Sequence, residues 1–93
     1  MTKEERAEDI RKVKGNDAGL KRVDWYESGV TDAEVEGLAE AIKGNTVVQT
    51  VYLHWNRGVT DASMAALKAG LKESGVVGVK LREVETRAVH EYQ

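Results

Sequence analysis

The stretch VVQTVYLHWNRGVTDASMAALKAGLKESG, Val47–Gly75, holds two hydrophobic periods in succession. In TVYLH, Val51 and Leu53 fall on one side while Thr50, Tyr52 and His54 fall on the other, the alternation of a half-buried strand. From Met64 the period lengthens. Met64, Leu67 and Leu71 recur at helical spacing and form a single apolar stripe. A strand followed by a helix is therefore expected, joined by a turn at GVTDA. In that turn Gly58 makes the bend, Val59 tucks inward, Thr60 stands at the N-cap and Asp61 places negative charge at the dipole's positive end.

The word GVTDA also occurs at Gly29–Ala33, about 29 residues earlier. Extending the match in both directions keeps it. VTDAEVEGLAEAIKGN from Val30 lies over VTDASMAALKAGLKES from Val59. Val35 then matches Met64, Leu38 matches Leu67 and Ile42 matches Leu71. Upstream, Leu20, Val23 and Trp25 match Val48, Val51 and Leu53, which places Trp25 in the core. Val76, Val79 and Leu81 begin a third, partial copy, and VKGN from Val13 echoes IKGN from Ile42. Thr31 with Glu34 makes a capping box, whereas Ser63 leaves the box at Thr60 incomplete. The Lys-Gly-Asn ends at Lys14–Asn16 and Lys43–Asn45 read as helix stops. The order becomes helix, strand, helix, strand, helix, strand. Right-handed crossovers between parallel neighbours put the helices on one face of the sheet.

Composition bounds what this architecture can do. The chain has 93 residues, enough for one domain with one modest core. The formal net charge is −2, which supplies no field to gather nucleic acid or an anionic membrane, and the few basic pairs have acidic neighbours. Cysteine is absent, which excludes disulfides and thiolate metal sites and suits a reducing compartment. The charged start MTKEERAEDIRK has no apolar signal segment, so a cytoplasmic setting is expected. Only two histidines occur, His54 and His90, and no His pair has zinc-ligand spacing. KGN ends helices, whereas phosphate sites use helix starts, so no cofactor or metal is expected.

The pattern apolar-x-x-apolar-x-apolar-x-x-Asn is filled by Val48, Val51, Leu53 and Asn56, followed by Val59, a Thr-Asp helix start and an Ala/Leu-rich helix. It resembles a leucine-rich repeat of the ribonuclease-inhibitor type over 13–81, with Ser28 and Val84 standing where its neighbouring copies would carry Asn. The resemblance implies an α/β fold: a short leucine-rich-repeat-like solenoid with three parallel strands in sequential order and helices on one face. The expected organisation is one domain over 1–93, with an N-terminal capping helix at 1–17, repeats at 18–46 and 47–75, and a partial third repeat with tail at 76–93. The tail admits two readings. Val84, Thr86 and Ala88 fit a prolonged strand, and Val84, Ala88, Val89 and Tyr92 fit one side of a short helix.

Such repeats bind through the open face of the sheet. The expected contact residues are Arg22, Asp24 and Tyr26 on the first strand, Tyr52, His54 and Trp55 on or just beyond the second, and Lys80 and Arg82 on the third. One expected row is Asp24, Tyr52 and Lys80, and the next is Tyr26, His54 and Arg82. Trp55 is compatible with packing under a loop or with exposure. Tyr, Trp and Arg are the types that dominate binding hot spots. The expected function is therefore non-enzymatic binding of another protein, with neither nucleic acid nor membrane as partner. An assembly protein that pairs its own open sheet end, giving a homo-oligomer, is the alternative. A small hydrolase, with Asp24 tuning His54 as a base, is the remote one.

Overall fold

A computed structural model describes residues 2–25, 29–53 and 59–74, together with the backbone of 79–82 and 89–92. The described residues form three helices, α1 (Lys3–Lys14), α2 (Asp32–Ile42) and α3 (Asp61–Glu73). Between and after them run short strands: β1 (Arg22–Asp24), β2 (Thr50–Tyr52), β3 (Val79–Arg82) and β4 (Val89–Tyr92). The sheet order is β1-β2-β3-β4, with β1, β2 and β3 parallel and β4 antiparallel to β3.

The expected class, a solenoid of three parallel strands, is corrected here. The described strands number four and form a mixed sheet, and no helix follows β3 among the described residues. The helical reading of the tail is corrected with it at Val89 and Tyr92, whereas Val84, Thr86 and Ala88 lie outside the described residues. The chain returns as a separate strand that covers the free edge of β3, which removes an unpaired row of backbone groups. Val89–Tyr92 is β-prone and sits in a ladder rather than on a helix.

The core forms where both periods point inward. Val23, Trp25, Val48, Val51 and Leu53 come from the strands and their flanks, and Val35, Leu38, Ile42, Leu67 and Leu71 from the helices. All are within 1% of complete burial, so the alternation and the helical stripes face one another across one buried layer. Val13 brings α1 into the same cluster, and the Trp25 indole N–H donates to Asp9 of α1 at 2.9 Å. α2 packs between α1 and α3. Its approach to α3 is close: a Cβ at Gly70 would stand 2.5 Å from the Ala39 carbonyl oxygen.

Local signals govern the helix ends. Thr2 caps α1 and Thr31 caps α2, each with a complete box closed by Glu5 and Glu34. Thr60 makes no side-chain cap, because its hydroxyl is turned elsewhere. Asp32 Oδ2 accepts from that hydroxyl at 2.9 Å, and Asp32 Oδ1 accepts from the Thr60 amide at 2.7 Å and the Ser63 hydroxyl at 2.6 Å. The Asp of the first GVTDA thus holds the helix start of the second. These donors, Ser63 first and the Thr60 amide next, hold the Asp32 carboxyl below its ordinary range. Gly29 has φ 70, a left-handed conformation open to glycine at no steric cost.

The two Lys-Gly-Asn stops differ. Asn16 takes the left-handed conformation, φ 56, after α1. Asn45 is instead buried and acts as a brace: its amide donates to the Val13 carbonyl at 2.9 Å, and its Oδ1 accepts from the Val47 and Val48 amides at 2.7 Å each. Asn56, which fills the Asn position of the repeat pattern, lies outside the described residues.

Candidate functional site

Burial of Val23 and Val51 toward the helices leaves the alternate strand positions on the opposite face. Parallel register aligns them across the sheet. Arg22 pairs with Thr50 and Thr50 with Lys80, while Asp24 pairs with Tyr52 and Tyr52 with Arg82. The expected rows are corrected by this register. Arg82, not Lys80, stands across from Tyr52, because β3 is displaced by two residues from the alignment of apolar positions. A two-residue displacement keeps Lys80 and Arg82 at positions of the same face while their neighbours change.

Within the described residues the geometry centres on Arg22. Its guanidinium lies 4.6 Å from the centroid of the Tyr52 ring, and Nη2 is 3.3 Å from Asp24 Oδ2. The Arg22 side chain remains 61% exposed, so a flat cationic fork is held by a ring and a carboxylate yet open to solvent. Asp24 Oδ1 is shielded and has no hydrogen-bond partner among the described residues. An exposed cation–π contact contributes about 0.5–1 kcal/mol, and an exposed ion pair at most about 1 kcal/mol. The cluster therefore orders side chains more than it stabilises the fold.

Arg22, Asp24 and Tyr52 are thus brought together. Lys80 and Arg82 are placed by register alone, on the adjoining strand. Tyr26, His54 and Trp55 lie outside the described residues, as does any contact between His54 and Asp24. Trp25 is fully buried. Thr50, between Arg22 and Lys80, belongs to the face but was absent from the expected contact set. Glu91, across from Lys80, and Val89, across from Arg82, extend the rows onto β4. Only the alternation in VHEY signalled them. Among the described residues no three His, Asp or Glu side chains stand together as a metal site, and no helix is long and apolar enough to cross a membrane.

No protein-family profile matches the chain. No curated protein matches it either. A solved structure described as "Leiomodin-1 Actin-Binding Site 2 (ABS2)" superposes with a TM-score of 0.68 at 28% identity, covering 75% of this chain. The match spans 41% of that chain's length. Membership of the ribonuclease-inhibitor type of leucine-rich repeat, expected from the apolar-and-Asn pattern, is corrected by these findings: no such family matches, and the similar structure is an actin-binding one. The likeness accords with a protein-binding role.

Proposed function

We propose that this chain is a non-enzymatic protein-binding module, that its contact surface is the open face of the sheet, and that its partner is actin. The likeness to a chain described as an actin-binding site carries the reading of the partner. The exposed Arg22 fork over Tyr52 supports the reading of the surface, since Arg and Tyr are enriched where interfaces concentrate their energy. A held guanidinium also loses less side-chain freedom on docking than a free one. A reducing, cytoplasmic setting suits a chain without cysteine.

Titration of monomeric actin with the chain tests both parts. The native chain should bind saturably. The double substitution Arg22→Ala with Tyr52→Ala should weaken binding by roughly thirty-fold, the loss of a hot-spot contact of about 2 kcal/mol. Its melting curve should stay close to that of the native chain. Failure of the native chain to bind rules out actin as the partner, and undiminished binding by the double variant rules out this face.

A further inference from the structure

Resting on the reading that the open sheet face is the contact surface, we infer that the face receives an acidic polypeptide segment of its partner. The inference comes from charge at register positions. Arg22, Lys80 and Arg82 stand on the two central rows against Asp24 and Glu91, so among the described residues the face carries three basic positions to two acidic ones. The whole chain has the opposite sign, with a net charge of −2. The basic excess is thus local to the sheet.

Its arrangement suits carboxylates. Arg22 and Lys80 flank Thr50 in one row, two strand spacings apart, or about 9.6 Å. Arg82 follows in the next row, one spacing from Tyr52. A guanidinium fork already steadied by a ring accepts a carboxylate through two parallel hydrogen bonds, and a Lys is an undirected point charge at its own register position. Asp24 and Glu91 restrict where a dense anion can lie. Asp24 is 3.3 Å from the Arg22 guanidinium, and Glu91 is across from Lys80. Spaced carboxylates on a polypeptide can avoid them, whereas a continuous phosphate backbone crosses them. The observations therefore favour an acidic peptide over a nucleic acid.

The test uses the full chain and a fluorescent twelve-residue peptide rich in Glu, with a Lys-rich peptide and a twelve-nucleotide single strand for comparison. The Glu-rich peptide should bind, and its affinity should fall at least ten-fold between low and physiological salt. The pair Lys80→Gln and Arg82→Gln should weaken it at least ten-fold, as should Arg22→Gln, which sits on the edge strand. The remote pair Lys3→Gln and Lys14→Gln should change it less than two-fold. Tighter binding of the oligonucleotide, equal binding of the Lys-rich peptide, or indifference to both salt and Arg22→Gln overturns the inference. If actin binds and Arg22→Ala with Tyr52→Ala abolishes it, yet the Glu-rich peptide neither binds nor competes, only the acidic segment fails. If the peptide binds and actin does not, only the identity of the partner fails.

Discussion

Gly70 decides how closely α2 and α3 pack. A methyl group there would meet the Ala39 carbonyl oxygen at 2.5 Å and Ile42 Cγ2 at 3.2 Å, and the first of these is backbone that cannot turn aside. Alanine is the better helix former by about 1 kcal/mol, so propensity and packing oppose each other. Packing should win, because overfilling a tight contact costs about 1–3 kcal/mol and here separates two helices. Gly70→Ala should therefore lower the urea midpoint. Gly37→Ala in α2 provides the contrast: among the described residues its new methyl would meet only Ile10 Cδ1, at 3.4 Å, and the substitution should be neutral or stabilising by up to about 1 kcal/mol. Equal effects at the two sites would contradict the close approach. Asn45 makes a second residue-scale case. Asn45→Ala removes a carbonyl's donor and two amides' shared acceptor in a buried place, and should cost about 3 kcal/mol by urea unfolding.

At the scale of elements, the helix starts were legible and the last strand was not. Thr31 with Glu34 is a short-range code, complete within four residues, and it forms as written. The link from Asp32 to Thr60 and Ser63 joins two elements, and no local pattern announces it. The register of β3 departs from the apolar alignment for a related reason. An alternating strand looks the same after a slip of two, so the apolar positions could not distinguish Leu81 from Val79 as the partner of Val51. β4 depends wholly on a partner strand, and its few residues satisfied a helical stripe as well as a ladder. The same element contacts predict how stability responds to acid. Burial pushes the Glu34 carboxyl up, but the Arg6 hydrogen bond, the Thr31 amide and the Arg6 charge together bring it below its ordinary range. Asp32 is lowered as well. A folded-state pKa below the unfolded value means stability present at neutral pH and lost as pH falls through the folded value. The melting temperature should therefore hold above about pH 5 and drop below about pH 4. Glu34→Gln should flatten the part of that drop due to the pair with Arg6, whose Nε is 2.7 Å from Glu34 Oε2. An unchanged acid limb would exclude this source.

At the scale of the molecule, helices on one side leave a charged sheet face on the other, and the proposed partner binding uses that separation. The face was partly legible. Alternation alone assigns Arg22, Asp24 and Tyr52 to the side opposite Val23 and Val51, and the structure brings the three together. What alternation could not give was their mutual arrangement, since the Arg22 fork over Tyr52 is a contact between strands. The central claim is that a protein partner sits on this face. Amide chemical-shift mapping of the labelled chain with monomeric actin tests it most directly. Perturbations should concentrate at Arg22, Asp24, Thr50, Tyr52, Lys80 and Arg82, with Glu36, Glu40, Ala65 and Ala69 on the exposed sides of α2 and α3 unmoved. Perturbations confined to those helix positions, or none at saturating actin, would contradict it.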